Sequence, residues 1–173
     1  MPDLPRRLTP HASNLSGFTF MRYLALLFTL AAVPSPAATP AFLGDWQTPD
    51  AAIIRIAPCI APHTTANAAM CLTVVRVSPT APLGPNGQPT DLKNPDPTLR
   101  SRSVCGLVIG TGFQATDSTH LTGGHLYDPE SGHTYQCTIT AAGDVLRLRG
   151  YIGISLFGRS ETWHRSPTVP ACR

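Results

Sequence analysis

Charged side chains are scarce in this sequence of 173 residues. They make up 13% of it, and Lys93 is the only lysine. The formal net charge is +3 at pH 7. It falls to nearly zero for the chain beyond residue 38, because three of the arginines and only one of the aspartates lie upstream. A nucleic-acid-binding protein needs a basic face that displaces counterions from phosphates. We therefore expect no nucleic-acid partner.

The sequence also lacks the 3.6-residue spacing of apolar side chains that marks an amphipathic helix. It carries 18 prolines and 14 glycines, which divide a chain into short extended segments. A helical bundle is therefore excluded, and the fold is expected to be all-β. Short segments rich in β-branched residues, separated by turn residues, predict about eight strands. A small antiparallel up-and-down β-barrel is favoured, because closing the sheet leaves no exposed edge.

Recognisable catalytic and metal-binding patterns are missing as well. There is no Gly-x-Ser-x-Gly nucleophile elbow, and Cys105 lacks the local sequence of a cysteine nucleophile. We assign no catalytic residue, no metal and no cofactor. An enzyme remains an alternative, for example a hydrolase whose site is assembled from distant residues. Four histidines lack the close spacing of metal ligands: His120, His125, His133 and His164.

One long apolar run lies near the beginning of the chain. Met21 to Ala41 contains one basic residue, an apolar core from Tyr23 to Val33, and then small residues. That order predicts a secretory signal peptide over residues 21–38, too short for a membrane span. The alternative is a hydrophobic strand or helix of the fold. Residues 1–20 are then an over-extended start, and the mature chain is expected in the periplasm or outside the cell, with no integral membrane domain.

All five cysteines lie beyond the predicted signal peptide, as expected for a chain exported to an oxidising compartment. Cys59 and Cys71 bracket a polar loop between two predicted strands. Cysteines related in this way can meet at disulfide distance, so a disulfide is favoured, with two buried thiols as the alternative. Cys105 is either a buried thiol or half of another disulfide. Because five is odd, at least one thiol has no partner within the chain.

Several separate motifs resemble one known family, domain of unknown function 2147, a group of exported bacterial proteins. They follow the same order over residues 43–165, and the Cys59/Cys71 pair belongs with them. The resemblance implies a single lipocalin-like β-barrel over residues 43–168, with no established activity. The motifs are GDWQTPD (44–50), KNPDPTLRSRSVCGL (93–107), GGHLYDPESGHTY (123–135) and RGYIGISLFGRSETWHR (149–165).

A second likeness concerns the two ends of the barrel sequence. Gly44 and Trp46 look like the Gly-x-Trp that opens the first strand of lipocalins, where a basic residue of the last strand packs across the indole. Arg165, two residues after Trp163 in the sequence TWHR, stands at the matching end, and Arg159 is the other candidate. An indole face attracts a guanidinium, so this pair is expected to close one end of the barrel.

The irregular stretch from Ser78 to Arg102 ends in a polar segment with two possible roles. Arg100 and Arg102 share one face if the segment is extended, and they could grip a ligand carboxylate or phosphate. Alternatively, Asp91, Asp96 or Asp128 pairs with them and pins the loop over the barrel mouth. The structural residues expected in the segment and the following hairpin are Asp91, Asn94, Asp96 and Asp128.

The leading hypothesis is a binding protein that holds an apolar or amphipathic small molecule inside the barrel. A barrel of this strand number is either filled by side chains or has room for one small ligand. A filled barrel would favour a structural or protein-interaction module instead. The apolar interior is predicted to be lined by some of Ile54, Ile56, Val74, Leu107, Ile109, Ile139, Leu146, Leu148 and Ile152. The polar contacts to the ligand are predicted from Arg100, Arg102, Tyr127, Arg149 and Tyr151.

Overall fold

Eight antiparallel strands, each paired with the next along the chain, close into a barrel where the last strand pairs with the first. The computed structural model describes residues 38–60, 69–153 and 158–172. The predicted over-extended start and signal peptide lie outside these residues, except for position 38. The predicted small up-and-down barrel is confirmed. Its strands are β1 (Gly44–Gln47), β2 (Ile53–Pro58), β3 (Met70–Arg76), β4 (Val108–Ala115), β5 (His120–Asp128), β6 (His133–Ala142), β7 (Val145–Tyr151) and β8 (Arg159–Arg165).

The connections alternate between the two ends of the barrel, as the up-and-down order requires. The end called here the mouth carries the β1–β2 turn (residues 48–52), the β3–β4 loop (77–107) and the β5–β6 turn (129–132). The opposite, closed end carries the β4–β5 turn (116–119) and the β6–β7 turn (143–144). A single 3-10 turn, Pro97–Leu99, interrupts the β3–β4 loop. Within the described residues, no helix is long and apolar enough to cross a membrane.

Strand alternation sends one set of side chains into the barrel. Large side chains fill the closed end: Phe42, Trp46 and Leu121 are fully buried there. Eight of the nine predicted interior residues are buried or pack against this core. The prediction for Ile152 is wrong, because this side chain is 66% exposed. It lies just beyond the end of β7 at Tyr151, where the alternation of the strand no longer applies.

Trp46 and Arg165 close the barrel where its first and last strands meet. The two residues are direct cross-strand partners, and the guanidinium carbon of Arg165 lies 4.1 Å from the centre of the indole ring. Arg165 also donates hydrogen bonds to two backbone carbonyls that precede β1. Gly44 allows this approach, since a Cβ added there would come 3.3 Å from the guanidinium and its φ is +112°. Arg159 lies at the other end of β8.

Beyond β8, residues 166–172 form a segment, here called the C-terminal strap, that bonds back to β1, β2 and β3. The Asp45 carboxylate accepts hydrogen bonds from Arg55 Nε at 2.7 Å and from the Val169 N–H at 2.8 Å. Burial opposes ionisation of Asp45, but these bonds and the Arg55 charge outweigh it, so the pKa of Asp45 is lowered. A disulfide from Cys172 to Cys105 fastens the strap to the β3–β4 loop. Barrel contacts therefore continue past residue 168.

The cysteines form two disulfides and leave one thiol. Cys59 and Cys71 are joined as predicted, and Cys105 proves to be half of the second bridge. The odd cysteine is Cys137, which is 1% exposed in the barrel interior. Burial raises the pKa of its thiol to about 12, which disfavours the reactive thiolate form. Two disulfides indicate a protein of an oxidising compartment.

Candidate functional site

The barrel is not filled along its whole length. A cavity of about 240 Å³ lies at the mouth. Its barrel walls are apolar and include Ile54, Val74, Ile109 and Trp163. The β3–β4 loop adds a further wall, to which Ala81 contributes. The cavity therefore has room for one small molecule with an apolar part.

Four carboxylates line the same cavity. Asp50 comes from the β1–β2 turn, Asp128 and Glu130 come from the β5–β6 hairpin, and Glu161 comes from β8. Glu161 accepts a hydrogen bond of 2.7 Å from the Trp163 indole N–H in the cavity wall. The pKa of Glu130 is raised, first by burial and then by the negative charges of the other three acids. The mouth of the cavity therefore carries a concentrated negative charge.

Arg102, one of the two arginines of the predicted rim, belongs to a cluster around Asp91. The Asp91 side chain is fully buried and accepts hydrogen bonds from Arg102 Nε at 2.9 Å and Asn94 Nδ2 at 2.7 Å. The Tyr127 hydroxyl donates a third bond at 2.5 Å, and the Arg102 guanidinium lies over the Tyr127 ring at 5.7 Å. Burial, together with the Asp91 charge and hydrogen bond, raises the pKa of Tyr127 to about 12. These four residues, the Asp91 cluster, join the β3–β4 loop to β5.

The neighbouring polar residues of the loop have backbone partners. Arg100 Nε donates to the Asn94 carbonyl at 2.8 Å. The Asp96 carboxylate accepts from the backbone N–H and hydroxyl of Thr98, and so caps the 3-10 turn. Asp128 shapes its own hairpin turn by accepting from the Glu130 N–H at 2.9 Å. Of the three aspartates considered as arginine partners, Asp91 is the one that binds Arg102.

The five residues predicted to contact a ligand separate into two groups. Tyr127 lines the cavity, with its hydroxyl engaged by Asp91. The other four do not contribute to the cavity wall. Arg149 and Tyr151 lie on the face of β7 opposite the buried Leu148, and Arg149 donates to Ser160 Oγ at 3.3 Å. A ligand role for Arg100, Arg102, Arg149 and Tyr151 stays a prediction.

Comparisons with known proteins agree with this architecture. The sequence profile of a family described as uncharacterized protein conserved in bacteria (DUF2147) matches residues 44–165. The chain belongs to this family. A solved structure of a Helicobacter pylori protein, described as belonging to the lipocalin family, matches with a TM-score of 0.59 and 19% identity. The match covers 75% of this chain and 85% of that one, and shows a shared lipocalin-like fold. No curated protein matches the chain.

Three of the four cavity acids, Asp50, Glu130 and Glu161, were missed from the sequence, and Asp128 was predicted only as a structural residue. Asp50 and Glu130 stand among turn residues, which favoured a local role for them. Glu161 had a usable signal, because it lies two positions before Trp163 on one strand and therefore shares its inward face. That spacing could have placed one carboxylate beside a buried indole.

Proposed function

We propose that this DUF2147 protein is an exported binding protein that holds a small apolar or amphipathic molecule in the mouth cavity of its barrel. The cavity itself carries the proposal. Its walls include apolar side chains such as Ile54, Val74 and Trp163, and its 240 Å³ lies just below the usual range of ligand pockets. Burial of an apolar group there is favourable by about 0.8 kcal/mol for each CH₂. The preferred ligand is therefore small, with a short apolar chain.

The proposed location is the periplasm or the space outside the cell. Residues 21–38 are proposed to act as the signal peptide, with residues 1–20 an over-extended start. The two disulfides support export, because such bonds form and persist in oxidising compartments. An envelope protein of this kind would meet amphipathic molecules released from the membrane or taken up from outside.

Octanol, a neutral molecule with a short apolar chain, is expected to bind in the cavity and to shift one indole NMR signal. The chain contains only two tryptophans. Trp163 lines the cavity, whereas Trp46 is fully buried at the closed end and donates to the Phe42 carbonyl at 2.9 Å. In a titration of ¹⁵N-labelled protein, the Trp163 Nε1–H signal should move saturably while the Trp46 signal stays in place.

A cavity-filling variant provides the control for this titration. Ala81 is a small residue of the loop wall, so Ala81→Phe should occupy the space and weaken octanol binding by at least tenfold. The fold should persist, because Ala81 lies outside the strands and the core. If the Trp163 signal does not respond to octanol, or if both indole signals move together, the mouth cavity is not an apolar binding site. The structural-module alternative would then be favoured.

A further inference from the structure

We propose that the polar end of the ligand is cationic, so that the preferred ligand is a small amphipathic amine or quaternary ammonium compound. This inference rests on the proposed function and concerns the same cavity. Apolar walls and four carboxylates belong to one space, and the carboxylates come from three separate segments of the chain. A molecule with an apolar chain and a positive head matches both parts at once.

The four carboxylates are not neutralised by the ion pairs of the described residues. In that part of the chain, the acids that form ion pairs are Asp45, Asp91, Asp117 and Asp144. The two arginines of the β3–β4 loop are held by Asp91 and by the Asn94 carbonyl. Arg159, two positions before Glu161 on β8, forms no ion pair with these acids in the described structure. Asp50, Glu130 and Glu161 are exposed to solvent, so the negative charge lies at the entrance of the cavity, where a cationic group would meet it.

The carboxylates form a distributed negative rim rather than a chelating site. Across the described residues, no three His, Cys, Asp or Glu side chains converge closely enough to hold a metal ion. The mutual repulsion that raises the pKa of Glu130 would be relieved by a single positive charge placed among them. A fatty acid with the same alkyl chain as the amine would bring a further negative charge to this rim, so its binding should be disfavoured.

Three ligands of equal chain length test the inference: octylammonium, octanol and octanoate. At pH 7 the amine carries its proton, since primary alkyl amines titrate near the lysine value of about 10.4. By the Trp163 indole signal, octylammonium should bind at least tenfold more tightly than octanol, and octanoate should bind weakest. The double variant Glu130→Gln/Glu161→Gln should remove most of the preference for the amine. Gln at position 161 can still accept the Trp163 hydrogen bond.

A matched control removes two charges elsewhere. The double variant Asp117→Asn/Asp144→Asn acts at the closed end of the barrel and should keep the full preference for octylammonium. Equal affinity for octanol and octylammonium would overturn the cationic ligand and leave the proposed function standing. Equal loss of preference in both double variants would also overturn it, because the effect would then reflect net charge alone. A Trp163 signal that no ligand moves would overturn this inference and the proposed function together.

Discussion

Replacing Asp91 with Ala is expected to lower the free energy of unfolding by about 3 kcal/mol. The substitution removes the acceptor shared by Arg102, Tyr127 and Asn94, while their donors stay in place. Asn94 is 5% exposed, so water cannot easily replace the lost carboxylate there. The Arg102 side chain is 35% exposed and can recover hydration, which limits the loss. Urea-induced unfolding followed by tryptophan fluorescence measures the change.

Two variants of the same loop separate this effect from a general disturbance. Asp96→Ala removes an exposed carboxylate that caps the 3-10 turn, and its effect should be much smaller than that of Asp91→Ala. The loss of unfolding free energy for Arg102→Ala should lie between the losses for these two variants, because Asp91 keeps its hydrogen bonds from Tyr127 and Asn94. If Asp91→Ala unfolds at the same urea concentration as the unaltered protein, the Asp91 cluster does not hold the loop over the mouth.

Removing the disulfide of the C-terminal strap is expected to lower the free energy of unfolding by an amount similar to that for Asp91→Ala. The Cys105–Cys172 bridge closes a loop with a sequence separation of 67, whereas Cys59–Cys71 spans 12. Loss of loop-closure entropy predicts about 4 kcal/mol for Cys105→Ala/Cys172→Ala and about 3 kcal/mol for Cys59→Ala/Cys71→Ala. Urea unfolding of the two double variants under identical conditions compares them directly.

Alkylation of Cys137 provides an independent measure of barrel opening in both double variants. Its thiol is 1% exposed with a pKa of about 12, so in the folded barrel it should not react with an alkylating reagent. Alkylation then reports the opening of the barrel itself, and its rate should be higher in the Cys105/Cys172 variant. A larger loss of stability in the Cys59/Cys71 variant would show that the strap contributes less than its loop length predicts.

The barrel could be predicted from the sequence because its determinants are local. Alternation along Val145–Tyr151 placed Leu146 and Leu148 on one face, and turn residues marked the connections. Trp46 and Arg165 could be nominated as partners because Gly44 and Trp46 resemble the Gly-x-Trp of lipocalins, in which a basic residue of the last strand packs across the indole. The prediction that Ile152 faces the interior was wrong because the strand ends one residue earlier, at Tyr151. The alternation of apolar residues does not show where a strand ends.

The site depends on features that no local pattern contains. The pairing of Cys105 with Cys172 requires the path of the strap along the outside of the barrel. The choice of Asp91 over Asp96 and Asp128 as partner of Arg102 depends on burial by the folded loop. The acids of the mouth meet only because two turns and one strand end lie at the same end of a closed barrel. Each of these is a property of register and closure, not of neighbouring residues.

Native mass spectrometry of the protein, isolated without denaturation from cells that produce it naturally, shows whether the mouth cavity carries a ligand. With a small cationic ligand in the cavity, the spectrum should contain a population heavier than the polypeptide by the mass of one small molecule, which collisional activation releases as a positive ion. The Ala81→Phe variant, isolated in parallel, should carry no such mass. A mass equal to that of the polypeptide alone, or an adduct that persists in Ala81→Phe, would contradict the account.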